Sequence, residues 1–364
     1  MQFRCERDAL AEALGTATRA VATRGGSLAV LSGVKIELAG NELAVTGSDL
    51  DLTIATRLTV DGSEDGVVVA PARLLADIVR SLEPGAVTVA ADGEEARVSA
   101  GRSSFTVRLL TAEDFPRLPE PPGEEVTLAA PALGEALRQV VRAASGDDAR
   151  PILTGVLLTA EGDGLRLVAT DSYRLAVRDL PGTSILAAGQ SVLVPSRALG
   201  ELTRLLSGSD ATTLRLGERD ATVEVGTTRL TTRLIEGEFP NYRQLIPSGH
   251  PNRVVVGREP LLDALRRVRL LAREATPVRL TLRSDAMELM AVTQDVGEAH
   301  EDLDAKYEGA EMVIAFNPDY LAEGVEAIVG DEVAIETIDA LKRAVIRAGG
   351  GGDFLYLLMP VRVS

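Results

Sequence analysis

The sequence PARLLADIVR at residues 71–80 returns as PSRALGELTR at residues 195–204, and a shorter copy, PDYL, occupies residues 318–321. Successive copies are separated by roughly a third of the chain, which indicates one structural unit repeated three times. A third of 364 residues is long enough to fold around a core of its own. The spacing therefore predicts three similar domains.

Further landmarks recur in the same order in each third of the chain. An acidic residue followed by Ala-Leu lies inside an amphipathic helical pattern, a polar residue followed by Asp ends an alternating apolar run, and a Phe-Pro pair occurs twice. These landmarks are residues 12–14, 135–137 and 263–265; 48–49, 170–171 and 294–295; and 115–116 and 239–240. Each repeat is predicted to contain a strand, a helix, a hairpin, an extended strand, a second helix and another hairpin.

The predicted fold class is α+β, with two helices and antiparallel sheets in each of three domains at residues 1–121, 122–250 and 251–364. Pro71, Pro195 and Pro318 are expected in the first turn of the second helices, where a missing N–H costs nothing. The joints are expected near residues 119–123 and 247–252, which are rich in proline and polar residues.

The composition limits the kind of protein this can be. Hydrophobic residues make up 45% of the chain, whereas aromatic residues make up 3% and Trp is absent, so the cores must be aliphatic. The single cysteine, Cys5, excludes an internal disulfide framework and favours a reducing compartment. No segment has the pattern of a signal peptide or a membrane span, which predicts a cytoplasmic protein without a membrane partner.

The net charge of −16 argues against a nucleic-acid partner only if the basic residues are dispersed over the surface. On the predicted helices they are instead clustered on one face. Arg73 and Arg80 share one helix face, as do Arg197 and Arg204 in the next repeat. The opposite stripes are predicted to contain Leu74, Leu75, Ile78 and Leu82, and Leu199, Leu202 and Leu206. Candidate DNA-facing residues are Arg24, Arg73, Arg80, Arg138, Arg142, Arg197, Arg204, Arg266, Arg269 and Arg273.

The alternative is that these arginines are solvated and paired with nearby acids, namely Asp77, Glu135 and Glu201. Repetition at equivalent positions weighs against that alternative. No zinc-finger spacing, aromatic platform or helix-turn-helix pattern is recognisable, so any DNA partner would be bound through shape and phosphate rather than base sequence.

No constellation for catalysis is apparent. His250 and His300 are expected at the surface and accompany no nucleophile or metalloprotease motif. The acidic run of residues 298–304 is expected to be a solvated strand edge, and the glycines at 349–352 a flexible hairpin tip, because this run lacks the Lys-Ser/Thr of a phosphate loop. No metal, cofactor or enzymatic activity is predicted.

Four motifs then identify a family. TDSYRLA at residues 170–176, GEFPNY at 237–242, FNP at 316–318 and YLLMPVR at 356–362 occur in this order on the threefold repeat. Along essentially its whole length the chain resembles the bacterial sliding clamp, the beta subunit of DNA polymerase III. The resemblance implies a head-to-tail homodimer that encircles double-stranded DNA, with helices lining the hole.

The resemblance also implies two protein-binding surfaces. The dimer interface would involve Arg102, Phe105, Val107, Leu270 and Leu271, with the acidic residues 298–304 as ion-pair partners of Arg102. A pocket would bind short apolar motifs of the DNA polymerase III alpha subunit, the clamp loader and other clamp-motif proteins. It would be formed by Leu153, Thr170, Tyr173, Arg174, Leu175, Pro240, Leu245, Asn317, Tyr320, Leu341, Arg343, Met359, Pro360, Val361 and Arg362.

The sequence departs from the family pattern at two places, and both concern the preference for peptide sequence. Gln244 stands where a basic residue is common, and residues 340–343 lack a frequent proline. Two other functions stay open at this point. One is a paralogous clamp kept for antibiotic resistance or a specialised polymerase, and the other is a nucleic-acid enzyme on the same scaffold.

Overall fold

A computed structural model of the chain describes residues 1–22, 28–116, 123, 125–272 and 276–362. Each repeat contains a strand and a helix, three antiparallel strands, a strand leading into a second helix, and three final strands. The final part is thus a three-stranded meander rather than the predicted hairpin. The predicted α+β class and threefold repeat are confirmed.

The first repeat has one additional strand, β5. Its elements are β1 Gln2–Glu6, α1 Arg7–Thr18, β2 Gly33–Ala39, β3 Glu42–Ser48, β4 Leu52–Thr59, β5 Asp61–Glu64, β6 Gly66–Pro71, α2 Ala72–Ser81, β7 Ala86–Asp92, β8 Glu95–Ala100 and β9 Ser103–Arg108. The second contains β10 Glu125–Ala129, α3 Ala130–Val140, β11 Gly155–Glu161, β12 Gly164–Thr170, β13 Arg174–Leu180, β14 Ser191–Pro195, α4 Ser196–Leu205, β15 Ala211–Leu216, β16 Asp220–Val225 and β17 Thr228–Arg233. The third contains β18 Asn252–Gly257, α5 Arg258–Val268, β19 Val278–Leu282, β20 Ala286–Thr293, β21 Gly297–Glu308, β22 Met312–Phe316, α6 Pro318–Glu326, β23 Glu332–Thr337, β24 Ala344–Ala348 and β25 Phe354–Leu358.

Contacts divide the described chain into two compact units, residues 1–131 with 201–234 and residues 132–200 with 235–364. The first unit holds a sheet in the order β5-β1-β7-β8-β9 and a second in the order β10-β15-β16-β17-β4-β3-β2-β6. The second unit holds one sheet in the order β14-β11-β12-β13-β25-β24-β23-β18-β21-β20-β19-β22. Because β4 pairs with β17 and β13 with β25, hydrogen-bonded sheets continue from one repeat into the next.

In the first unit, α1 and α2 cover an aliphatic core. Leu14 of α1 and Val79 of α2 are fully buried. The helix approaches the sheet closely at Gly47 of β3, where an added Cβ would lie 2.0 Å from the carbonyl oxygen of Ala17. No side chain fits at this approach, so Gly47 fixes how closely the helix packs on the strand.

The buried stripe of α2 differs from the prediction at Leu74, whereas Leu75 and Leu82 are buried and Ile78 packs against the core as predicted. Ala72, Leu75, Ala76 and Val79 face the core at helical spacing, whereas Leu74 is 52% exposed. In α4 the predicted stripe of Leu199, Leu202 and Leu206 is buried as expected.

The prolines also lie one position away from where they were expected in two repeats. Pro71 and Pro195 end strands β6 and β14 immediately before their helices, and only Pro318 occupies the first helical position. Both β6 and β14 are edge strands of their sheets, where proline is tolerated because an edge strand can direct N–H positions to solvent.

A turn with the same backbone geometry follows the third strand of each repeat. Leu50, Ser172 and Asp295 are the non-glycine residues with positive φ among the described residues, at +78°, +84° and +62°. Each is the second residue after its strand, so the structural counterpart of Asp49 and Asp171 is Gln294, not Asp295. The third sequence landmark was therefore aligned one residue too late.

Of the predicted joints, residues 119–122 lie outside the described residues. At the second joint, Asn252 belongs to β18 and is buried, with its side-chain amide donating to the carbonyl oxygens of Thr337 and Ile338. It is thus part of the sheet, not of a linker. The boundaries at 121/122 and 250/251 remain predictions. No helix in the described part of the chain is long and apolar enough to cross a membrane.

Candidate functional site: an apolar surface and helix-borne arginines

The turn between β12 and β13 presents Tyr173 to solvent and directs Arg174 inward. Asp171 holds this turn, because its Oδ1 accepts hydrogen bonds from the backbone N–H groups of Tyr173 at 2.9 Å and Arg174 at 3.0 Å. Ser172 adopts the left-handed conformation between them. As a result Tyr173 is 59% exposed whereas Arg174 is 8% exposed.

The guanidinium of Arg174 is buried, and each of its three nitrogen atoms donates a hydrogen bond. Its Nε donates to Asp171 at 3.0 Å, Nη1 donates to Glu323 at 2.5 Å, and Nη2 donates to the carbonyl oxygen of Arg142 at 2.6 Å. Burial acts to lower the pKa of Arg174, but the contacts with Tyr356 and Glu323 outweigh it. The guanidinium therefore stays charged inside the fold.

Tyr173 is exposed, and Tyr320, which contacts this cation, is half-buried. The rings of Tyr173 and Tyr320 lie 6.5 Å apart, and the guanidinium of Arg174 lies 4.3 Å from the centre of the Tyr320 ring. Leu341, Met359 and Val361 are exposed as well. Apolar side chains left open to solvent in one region are typical of a protein-binding surface.

The C-terminal segment is fixed beside Tyr173 by backbone hydrogen bonds. Met359 N–H donates to the Tyr173 carbonyl oxygen at 2.9 Å, and Val361 N–H donates to that of Ala315 at 2.8 Å. Leu358 of β25 pairs with Ala344 of β24. Because the two strands are antiparallel, Arg343, which precedes Ala344, lies beside Met359, which follows Leu358. Asn317 caps α6, and its Oδ1 accepts from the N–H of Tyr320 at 3.1 Å. Pro360 and Arg362 belong to the same segment.

Two predicted pocket residues lie beneath this surface. Leu175 is 1% exposed and packs with Leu357 and Tyr242, and Thr170 is also buried, with its hydroxyl donating to the Arg174 carbonyl oxygen at 2.6 Å. Both side chains are buried in the single chain and support the surface from beneath, and their contact with a peptide stays a prediction.

The remaining predicted pocket residues flank the same surface. Pro240 is exposed and Leu245 is half-buried, on either side of the buried Tyr242. Leu153 is half-buried in the short turn that follows Arg150, whose guanidinium donates to the Ser172 hydroxyl at 3.2 Å. Hydrogen bonds thus place the Leu153 turn and the C-terminal segment beside the Tyr173 turn, and the pocket formed by all the predicted residues stays a prediction.

The sequence did not single out the polar residues that hold this arrangement. Asp171 was quoted only within a motif, and Glu323 not at all. Tyr356, whose pKa is raised by burial, donates its hydroxyl to the Tyr320 carbonyl oxygen at 2.9 Å. Only Asp171 carried a usable signal, since Asp is favoured at the start of tight turns.

Seven of the candidate DNA-facing arginines are exposed: Arg73, Arg80, Arg138, Arg142, Arg197, Arg204 and Arg266. An eighth, Arg269, is half-buried. Arg24 and Arg273 lie outside the described residues. Arg80 pairs with Asp77 at 3.4 Å and Arg204 with Glu201 at 2.6 Å, as the alternative of local ion pairs predicted, while Glu135 pairs with Arg178 instead. Exposed pairs of this kind stabilise by only about 0–1 kcal/mol, so phosphate can compete for them.

Arg80 and Arg204 line one groove of about 730 Å³ in the first unit. Arg19 and Arg57, which the sequence analysis missed, line the same groove. Four arginines and one acidic residue, Glu12, line this groove, so basic side chains are in excess there despite the acidic composition of the chain.

The residues predicted at the dimer interface differ in exposure. Strand β9 forms the edge of its sheet, with Arg102 and Phe105 exposed. Val107, however, is 3% exposed and packs into the chain's own core, so it offers no surface to a partner. Leu270 is 84% exposed and Leu271 half-buried.

The acidic run lies on strand β21, whose residues 297–304 pair with β20, whereas pairing with β18 covers residues 305–308. Within this run Glu301 already forms two 2.7 Å contacts with Arg267, and the hydrogen bond from Arg267 lowers the pKa of Glu301. Glu301 is therefore engaged within the chain.

Both histidines lie beside carboxylates. His300 is half-exposed and lies 2.8 Å from Glu288, with Asp302 nearby. His250, expected at the surface, is instead largely buried against Glu336, and burial lowers its pKa. That expectation was wrong because the residue that covers His250 lies in a strand far along the sequence.

The threefold α+β repeat, the apolar surface and the arginine-bearing helices together define a binding protein of the DNA-clamp class. The chain matches the N-terminal, central and C-terminal domains of the DNA polymerase III beta subunit at residues 1–119, 127–241 and 243–362. It belongs to this family, the beta sliding clamps, whose members are processivity factors rather than enzymes.

Relatives match over the full length of both chains. The beta sliding clamp of Streptomyces coelicolor is 35% identical, and that of Pseudomonas aeruginosa is 33% identical. Among solved structures, the Bartonella birtlesii sliding clamp bound to griselimycin is 32% identical with a TM-score of 0.93 and also covers both chains completely.

Proposed function

We propose that two copies of this chain form a head-to-tail ring that encircles double-stranded DNA and holds replication proteins on it. The observation that carries the proposal is the threefold repeat. Two chains with three repeats each give six similar units, and a heterologous interface that closes after two chains makes a ring. The proposed partners, beyond polymerases in general, are the DNA polymerase III alpha subunit, the clamp loader and other clamp-motif proteins.

The proposed peptide site is the exposed surface around Tyr173, which we name the Tyr173 surface and which also includes Tyr320, Leu341, Met359 and Val361. The exposed Tyr173 ring, the half-buried Tyr320 ring and the exposed aliphatic side chains suit Leu and Phe anchors of an extended peptide. The backbone hydrogen bonds of Met359 and Val361 hold part of this surface in place before a peptide binds, which lowers the entropy cost of binding.

The proposed DNA contacts are made by the exposed helix arginines, through phosphate and without base recognition. The proposed domain boundaries remain 121/122 and 250/251, and the proposed location is the cytoplasm. The proposed role is that of the housekeeping clamp, and a second clamp gene in the same genome would favour the paralogue instead.

Truncation before Met359 tests the peptide site. Removing residues 359–364 deletes Met359 and Val361 and the hydrogen bond to Tyr173, but leaves β25 complete. We expect the affinity for a synthetic peptide with Leu and Phe anchors to fall by roughly a hundredfold, or about 2.7 kcal/mol, while the dimer persists. Isothermal titration calorimetry and native mass spectrometry measure the two quantities.

The matched control removes only residues 363–364 and should bind the peptide like the full chain. Undiminished affinity in the longer truncation would place the peptide site elsewhere. An equal loss of affinity in both truncations would show that residues 363–364, and not Met359 and Val361, are needed for peptide binding.

A further inference from the structure

Glu323 lies on α6 one turn after Tyr320, and its carboxylate reaches the buried guanidinium of Arg174. The contact joins Glu323 Oε2 and Arg174 Nη1 at 2.5 Å. Arg174 in turn lies 4.3 Å from the centre of the Tyr320 ring. Glu323 thus holds the cation against the ring that its own helix carries.

The cation has contacts on four segments of the chain, through Asp171, Arg142, Glu323 and Tyr356. Asp171 is largely buried, and its other oxygen fixes the turn that presents Tyr173. The two carboxylates therefore connect both rings of the Tyr173 surface to one guanidinium.

The equivalent turn in the first repeat shows which part of this arrangement is specific to the site. Asp49 Oδ1 accepts from the N–H groups of Asp51 at 3.1 Å and Leu52 at 2.8 Å, as Asp171 does for its turn. The position of Arg174 is occupied by Leu52 there. The aspartate is thus common to both turns, whereas the arginine and its partner on α6 occur where the apolar surface is exposed.

A buried cation that loses one carboxylate must move toward solvent or draw water in, since an uncompensated charge inside a protein is costly. Either response changes the contact between Arg174 and Tyr320. The separation of the Tyr173 and Tyr320 rings, now 6.5 Å, then loses one of its constraints.

We propose that Glu323 is a positioning residue of the peptide site, which acts through Arg174 to set the geometry of the Tyr173 and Tyr320 rings. Glu323 itself need not touch the peptide. This proposal rests on the proposed peptide-binding function of the Tyr173 surface.

Glu323→Gln and Glu323→Ala test the proposal, with Glu326→Gln as the matched control. Glu326 lies one turn further on α6, pairs with Arg142 at 2.8 Å, and loses the same charge on substitution. We expect the affinity for the Leu/Phe peptide to fall by about tenfold in Glu323→Ala and by less in Glu323→Gln, whose amide oxygen can still accept from Arg174. Glu326→Gln should bind like the unsubstituted chain.

A second measurement separates positioning from a general loss of stability. The chain has five tyrosines and no tryptophan, so 3-fluorotyrosine labelling gives five assignable fluorine NMR signals. In intact Glu323→Gln dimers the signals of Tyr173, Tyr320 and Tyr356 should shift, while those of Tyr242 and Tyr307 stay in place. The shifts are read on folded protein, so they report ring geometry even if Glu323→Ala fails to fold.

Equal peptide affinity in Glu323→Gln and Glu326→Gln, with unmoved signals from Tyr173 and Tyr320, would overturn the positioning role. A shift of all five signals would do so too, because it indicates a general change of fold. An unsubstituted chain that binds no peptide would instead refute the proposed function of the surface.

Discussion

Replacing Leu270 and Leu271 with aspartate should convert the dimer into folded monomers. Leu270 is 84% exposed in the single chain, so its side chain is available to a partner. A carboxylate buried without a partner at an interface costs several kcal/mol. A head-to-tail dimer contains two copies of the interface, so the cost is incurred twice.

Native mass spectrometry should show half the mass of the unsubstituted assembly, and circular dichroism should show an unchanged fold. Val329→Asp is the control, because Val329 is also exposed, at 61%, but is not among the residues predicted at the interface. An unchanged dimer mass in the double variant would remove Leu270 and Leu271 from the interface and leave Phe105 on strand β9 as the apolar candidate.

A clamp loaded on closed circular DNA should remain bound at salt concentrations that release ordinary phosphate-binding proteins, and should escape when the circle is cut. The chain carries a net charge of −16, so direct attraction to DNA is limited to the arginine-bearing helices. Retention then depends on the ring being closed around the duplex. Equal dissociation rates from intact and linearised circles would contradict encirclement.

Replacing Arg73, Arg80, Arg197 and Arg204 with alanine should weaken loading and reduce the salt dependence of direct DNA binding, while peptide affinity stays the same. Each lost phosphate contact lowers the slope of log affinity against log salt by about 0.9. The control changes four strand or strand-end arginines, and thus alters net charge equally: Arg215, Arg229, Arg233 and Arg283. If both sets changed the salt slope alike, net charge rather than helix position would govern DNA binding.

The repeat could be predicted because it depends on local signals. Alternating strands, amphipathic helices and prolines before helices each follow from a few neighbouring residues. The face of α2 was less predictable. Hydrophobicity favours Leu74, but the core accepts Ala72 and Ala76, because the space available there is set by the neighbouring helix and sheet rather than by α2 itself.

The residues of the site could be predicted only where they belong to motifs shared with the family. The resemblance provided the apolar surface, whereas the buried state of Leu175 and Val107 depends on tertiary packing. Glu323 and Arg174 are separated by 149 positions, and no local pattern connects a helix glutamate to an arginine in a distant strand. His250 and Glu336 were missed for the same reason.

The pairing of β4 with β17 and of β13 with β25 bears on how the chain could be dissected. Each of the first two repeats completes its outer sheet with the last strand of the repeat that follows. The middle third, expressed alone, would therefore expose two bare strand edges, at β13 and β17, and such edges recruit other chains. The repeats are alike in structure but not autonomous, so excised thirds are expected to aggregate where the intact polypeptide stays dispersed.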